Sequence, residues 1–328
     1  MRWKILDIKT WDPGYRIDQE ECRKLFGDEV ANMKGPNFRC FYNGENLLEV
    51  CMSVFDEWLK KYDIPKETVS DCALGTTYLP QEWFERKPDL PSAITNEMKL
   101  DNGEPSIILN RICTTIPSVI EYLDNKRVAG RRKIGDTALV AVLDFPSLIL
   151  RRDVEHHAVA KNIFGDGCFF MLMRMVKEPT DLGAGYIVED VDNLFVPYTG
   201  DKAYSDENGA IFLSRYMTDD VPNLVVNIGI KNMLDKHKLK VPDIRYWPVH
   251  PGGVPIIAGI EKLLGLEKRT LQYCFDTFFE GGNRYAVSAG YVFDRLHREY
   301  PKKSGDRIFM ATVAIGIYLG AVLMTYYE

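Results

Sequence analysis

The chain has 328 residues, of which 46% are hydrophobic and 27% charged, and a formal net charge of −6. This is globular composition with enough apolar material for a large core, and length alone predicts roughly two domains of about 150 residues. The mildly acidic balance gives no electrostatic signature of nucleic acid or of an anionic membrane surface.

Seven cysteines, at 22, 40, 51, 72, 113, 168 and 274, are scattered, with no CxxC pair and no Cys/His cluster at zinc spacing. Such usage fits free thiols in a reducing compartment rather than a disulfide framework. The start, Met1-Arg2-Trp3-Lys4, lacks an apolar signal core, so a cytoplasmic location is expected. Neither GxGxxG nor GxxxxGK[ST] is present, which leaves nucleotide binding unsupported.

In chain order, residues 46–63 read as an amphipathic helix through Leu47, Leu48, Val50, Cys51, Val54, Phe55 and Leu59. A short link, KYDIPKET, leads to an apolar stretch near 69–75. SIILNRI then reads as a strand, followed by Cys113 and by the helix TTIPSVIEYLDN, with Pro117 in its first turn and Ile116, Val119, Ile120 and Leu123 on one face. The basic link KRVAGRRK (126–133) reads as a solvated connection, although it also suits an acidic carrier protein or a phosphoadenosine. Phe164-Gly165-Asp166-Gly167 reads as a tight turn before the apolar run from Cys168. Turn residues dominate 180–220. A helix is predicted over 223–237, then a strand, IRYWPV, ending at His250 before Pro251-Gly252-Gly253. Asn283 follows Gly281-Gly282 and precedes another helical pattern, RYAVSAGYVFDRL. The uncharged run 308–327 is long enough to span a bilayer. Its Gly316 and Gly320 and its β-branched residues favour two buried strands joined by a Gly turn.

These elements repeat. A helix end, a basic link, Gly-Asp and a strand occur at 120–143 and again at 291–314, with Asp136 and Asp306 170 residues apart. The chain is therefore read as two similar α/β halves, 1–180 and 181–328. The same offset pairs Cys113 with Asn283 and places a thiol and an amide at two equivalent helix starts. A cysteine there is expected to favour its thiolate. His250, at a strand's C-terminal end, is placed for a cleft. His156, His157, His237 and His297 read as surface residues.

Several stretches together resemble one family. WPVHPGGVPIIAGIEKLLGLEKRTL (247–271) is similar to the catalytic-histidine segment of the β-ketoacyl-acyl carrier protein synthase III and type III polyketide synthase (chalcone synthase-like) branch of the thiolase-like superfamily. EGGNRYAVSAGYVFDRL resembles that family's GN-x-x-S-A segment, NIFGDGC its FGDGA turn, and GDRIFMATVAIGIYLGAVLM its last two core strands. The likeness extends over nearly the whole chain. It differs in a C-terminal loop with one glycine, Val313-Ala314-Ile315-Gly316, and in Thr114 after Cys113.

The resemblance implies a thiolase fold, two pseudosymmetric α/β halves in five layers, αβαβα. It implies Cys113 as nucleophile, His250 and Asn283 as catalytic partners, and the backbone N–H groups of Cys113 and Ile315 as oxyanion donors. The implied reaction is a decarboxylative Claisen condensation through an acyl-Cys113 intermediate. Its substrates are acyl thioesters of coenzyme A or acyl carrier protein, it needs no metal or redox cofactor, and the family is usually a homodimer. Acyl transfer to another acceptor, an inactive subunit of a heteromeric synthase, and a binding protein anchored through 308–327 are the alternatives.

Overall fold

The computed structural model describes the chain except for residues 28–34, 151–157, 198–202, 206–210, 214–217 and 219. His156 and His157 lie outside the described residues. Twelve strands are present among those described: β1 Arg2–Trp11, β2 Tyr15–Asp18, β3 Phe38–Phe41, β4 Val69–Thr76, β5 Glu104–Leu109, β6 Thr137–Asp144, β7 Gly167–Val176, β8 Gly185–Phe195, β9 Ala203–Ser205, β10 Ile211–Leu213, β11 Arg307–Ala314 and β12 Tyr318–Tyr327. The helices are α1 Gln19–Phe26, α2 Leu47–Lys61, α3 Gln81–Glu85, α4 Leu90–Met98, α5 Thr115–Val128, α6 Ala158–Ile163, a helical segment α7 over 221–236, α8 Val254–Leu263, α9 Gln272–Phe279 and α10 Ser288–Glu299. A π-helical turn, Val225–Ile230, interrupts α7.

Eight strands join in the order β5-β4-β6-β7-β1-β8-β12-β11. The pairs β5/β4 and β4/β6 are parallel, and the remaining pairs are antiparallel. Between β1 and β8 only Lys4↔Ile187 and Ile5↔Tyr186 pair, so this contact joins two sheets at a corner. The second sheet continues past β11, because Tyr246 and Val249 form parallel bridges to Ile308 and Ala311. Strand order and direction in β4-β6-β7-β1 then recur in 244–249, β11, β12 and β8.

The predicted strand IRYWPV is thus a broken one. Arg245 N donates to Arg307 O (2.8 Å) and Phe309 N to Tyr246 O (2.9 Å), but Pro248 has no N–H to extend the ladder.

The strands alternate between two layers even where every residue is apolar. Leu139, Ala141 and Leu143 of β6 pack with α2 and α4 on the outer side. Ala138, Val140 and Val142 face the other way, with the buried faces of α5 and α10. The same cluster includes β11, β12, α7 and α8. The result is helix, sheet, helix pair, sheet, helix: the five layers expected. β11 and β12 are buried along nearly their whole length, on both faces, which explains the continuous apolar run at 308–327. No helix among the described residues is long and apolar enough to cross a membrane.

Local signals set the element ends. Asn46 caps α2 by accepting from Glu49 N, and Asp89 caps α4 through Ser92 N (3.0 Å), with Pro91 in the first turn.

Two surface expectations fail. The basic link after α5 is not solvated throughout. Lys126 and Arg132 turn inward onto the fully buried Asp71, at 2.8 and 2.6 Å, and both also reach Glu104 at the start of β5. Burial alone raises the Asp71 carboxyl, but hydrogen bonds from Arg132 and Lys126 hold it below its usual range. A buried carboxylate flanked by two cations is a clamp on the edge strand. His237 and His297 are half-buried: Nε2 of His237 lies 2.7 Å from Asp190, and Nδ1 of His297 lies 3.0 Å from the Tyr186 hydroxyl.

Candidate active site

Cys113 sits in a single 3₁₀ turn, Ile112–Thr114, between β5 and α5. The chain reverses there through two left-handed residues, Asn110 (φ 56°) and Ile112 (φ 50°). Asparagine tolerates that region, whereas for a β-branched isoleucine it is strained. Thr114 Oγ1 donates to Arg111 O (2.7 Å) and Thr115 Oγ1 to Ile112 O (2.6 Å), which pins the turn. The sulfur is buried, and burial pushes the thiol well above its ordinary pKa, with the Asp144 carboxyl acting in the same direction. Loss of hydration thus opposes the helix terminus, which is expected to favour the thiolate.

His250 closes the broken strand. Its backbone N donates to Ala311 O (2.8 Å), and its carbonyl accepts from Gly252 N (2.9 Å). Gly252 makes room for the imidazole: a Cβ there would lie 3.1 Å from Cδ2 and 3.2 Å from Nε2. Burial pushes this histidine down to about 3, so the ring is neutral, and its Nδ1 has no hydrogen-bond partner among the described residues. A neutral imidazole donates from one nitrogen only.

Asn283 is held by the tight turn after α6. Its backbone N donates to Ile163 O (2.7 Å), and its carbonyl accepts from Gly165 N (3.1 Å). The fit depends on glycine at 282, where φ is 78° and a Cβ would meet Ile163 O at 2.3 Å. The side-chain oxygen accepts from Tyr285 N (2.9 Å) and from the Ser288 hydroxyl (3.0 Å). With its acceptor occupied, the amide is fixed and offers its NH₂ as a donor.

The two helix starts are equivalent, but not through the residues that the 170-residue offset pairs. The second 3₁₀ turn is Tyr285–Val287, leading into α10 at Ser288. Tyr285 opens it with φ 55°, as Ile112 opens the first with φ 50°. Geometrically, Cys113 corresponds to Ala286, and Asn283 lies three residues upstream.

Cys113, His250, Asn283 and Ile315 nevertheless line one cavity of about 560 Å³. Its walls are apolar, from Ile163, Phe164, Val254, Ile256, Phe278 and Val313, among others. All four residues singled out from the sequence are brought together. Sequence reading missed Tyr285, which also lines the cavity, and Asp144, buried behind it. Asp144 had a visible signal, a lone acid ending the apolar strand TALVAVLD. Among the described residues no group of three His, Cys, Asp or Glu side chains is arranged to hold a metal ion.

No protein-family model matches the chain. It is similar to "Polyketide synthase 37" of Dictyostelium discoideum, 25% identical over 179 residues, 51% of this chain and 6% of that protein. It is 26% identical over 223 residues to "Alpha-pyrone synthesis polyketide synthase-like Pks18" of Mycobacterium tuberculosis, 64% of this chain and 54% of the relative. The matched stretches thus span about half of the second relative and a small part of the first. Among solved structures, 3-oxoacyl-[acyl-carrier-protein] synthase III of Aquifex aeolicus superposes with a TM-score of 0.81 at 18% identity, covering 99% of this chain and 100% of the other. The type III polyketide synthase 1,3,6,8-tetrahydroxynaphthalene synthase of Streptomyces coelicolor gives 0.79 at 17% identity, covering 99% of each chain. The fold is the thiolase fold of these synthases.

Proposed function

We propose, from a thiolase fold and a sequence likeness to polyketide synthases, that this chain is a condensing enzyme acting on acyl thioesters. One observation carries the reading: a thiol, an imidazole and a fixed carboxamide, supplied by three separate elements, line the same apolar cavity. Cys113 attacks the thioester carbonyl and passes its proton to His250 as the carbon–sulfur bond forms. The proton then goes to the departing thiolate, which leaves as the free thiol, and the acyl group remains on Cys113. Backbone N–H groups of Cys113 and Ile315 serve the oxyanion. A malonyl-type thioester next places its carbonyl oxygen between His250 Nε2–H and the Asn283 NH₂. As carbon dioxide leaves, these two donors stabilise the enolate. The enolate carbon attacks the acyl-Cys113 carbonyl, the Cys113 sulfur departs as a thiolate and takes a proton from water, and a β-ketoacyl thioester results. This sequence needs no metal or redox cofactor.

A neutral His250 suits the second step, because it donates one N–H to the enolate and is too weak an acid to quench it by proton transfer. Asn283, held at its oxygen by Tyr285 and Ser288, favours condensation over simple acyl transfer, which needs no enolate donor. The donor thioester is carried on coenzyme A or an acyl carrier protein. We also propose a homodimer formed along β5, an edge strand with exposed Ile107 and Leu109. All seven cysteines are free, which suits the cytoplasm.

The test is incubation with a panel of acyl-CoA thioesters and carboxyl-labelled malonyl-CoA. Released label together with a β-ketoacyl product supports the reading. Acyl transfer to an alcohol or amine with no label released replaces it with the non-condensing alternative.

A further inference from the structure

We infer that Asp144 is a positioning residue of this site: its carboxyl, which acts on the Cys113 thiol, ties the turn after β4 to the 3₁₀ turn that follows Asn283 and so holds the reacting amide in place. This role deepens the condensing reading and rests on it.

Asp144 ends β6 and is fully buried. One oxygen accepts from Tyr78 N at 2.7 Å, and the other from Ala286 N at 3.0 Å. Tyr78 follows β4, in the first half of the chain. Ala286 lies in the 3₁₀ turn of the second half, next to Tyr285, whose N–H holds the Asn283 oxygen. Phe145 N donates back to Tyr78 O at 2.9 Å, so the β4 turn is clasped from both sides. A single side chain thus bridges the turn after β4 and the 3₁₀ turn whose Tyr285 lines the cavity.

The fold itself does not demand this carboxyl. β6 (137–144) and β11 (307–314) occupy equivalent sheet positions and have equal length, and the place of Asp144 is taken in the second half by Ala314. An acid buried for packing alone is expensive, and its presence on one side only points to the site it faces. Burial pushes Asp144 up to about 8, against backbone N–H groups of Tyr78, Ala286 and Thr77 that pull it down, while Asp166 adds repulsion. The titratable groups it faces are the Cys113 thiol, the Tyr285 hydroxyl and Asp166.

The test uses Asp144→Ala and Asp144→Asn, each checked for folding by thermal melting. Two steps are measured separately on each: acyl-CoA labelling of Cys113 and decarboxylation of malonyl-CoA. Misplacing the amide donor by about 1 Å is expected to slow decarboxylation about 100-fold in Asp144→Ala, with labelling far less affected. Asp144→Asn keeps one acceptor and is expected to lose less. In a second readout, independent of turnover, the Cys113 alkylation midpoint in Asp144→Asn falls to lower pH, because a negative charge beside the thiol is gone. Equal loss in both steps, or an unmoved alkylation midpoint, overturns the inference. A wild-type protein that neither labels nor decarboxylates sinks the condensing reading instead, and the alkylation profile still decides the role of Asp144.

Discussion

The turns that open α5 and α10 share a backbone path and differ in what they carry. Each begins with a bulky left-handed residue, Ile112 or Tyr285, makes one 3₁₀ turn and enters a buried helix. In the first, Cys113 lies inside the turn, so its sulfur is presented at the helix entrance. In the second, that position is Ala286, whose N–H is committed to Asp144, and the functional amide lies upstream, clamped by Ile163 and Gly165. On the proposed reading, the duplicated geometry serves once to present a nucleophile and once to anchor a donor. A nucleophile must reach its substrate, and Cys113, one residue after the left-handed Ile112, lines the cavity although it is otherwise buried. A hydrogen-bond donor must not move, and glycines at 165 and 282 let the chain pack closely enough to hold it.

This contrast can be broken in graded ways. The largest effect is expected from Asn283→Ala, which removes an enolate donor. Malonyl decarboxylation should fall about 100- to 1,000-fold while Cys113 labelling persists; parallel loss of both steps would remove the division of labour between the turns. Next is Gly282→Ala, which places a Cβ against the Ile163 carbonyl at a left-handed φ. Strain of this kind, with the clash added, should cost about 3 kcal/mol, read by denaturant unfolding; a change below about 1 kcal/mol would mean that the clamp is loose.

A third expectation concerns pH. Burial raises the Cys113 thiol, so the folded protein keeps that proton through neutral pH, and alkylation of the resting enzyme should go on rising beyond pH 9. A plateau near pH 7 would restore the helix-stabilised thiolate. The smallest effect is expected from Ile112→Gly. Relief of about 1–2 kcal/mol of left-handed strain is offset by glycine's backbone entropy of about 0.5–1 kcal/mol and by lost packing, so unfolding free energy should change little. A large loss would show that Ile112 is held by packing and not by the turn.

Much of this was legible in the sequence. Periodicity and caps placed α2, and the apolar run at 308–327 read correctly as two strands, because burial on both faces leaves the same mark in any sequence. Cys113, His250 and Asn283, which line one cavity, each follow or precede a local punctuation: a strand end, a Pro-Gly-Gly, a Gly-Gly. The three-residue slip between the two helix entrances was not legible, since a constant offset assumes loops of equal length. The state of the thiol was missed for a different reason. The helix terminus acts locally and can be read from neighbours, whereas desolvation depends on layers packed from distant parts of the chain. The inward turn of Lys126 and Arg132 was hidden in the same way, as their partner Asp71 lies in another strand.

Intact-protein mass spectrometry after incubation with acyl-CoA thioesters, followed by addition of malonyl-CoA, addresses the central claim most directly. One acyl mass should appear on the wild type, map to Cys113 by peptide analysis, be absent from Cys113→Ala and be discharged when malonyl-CoA is added. An adduct that maps to another residue, or one that malonyl-CoA leaves in place, would contradict an acyl-Cys113 poised for condensation.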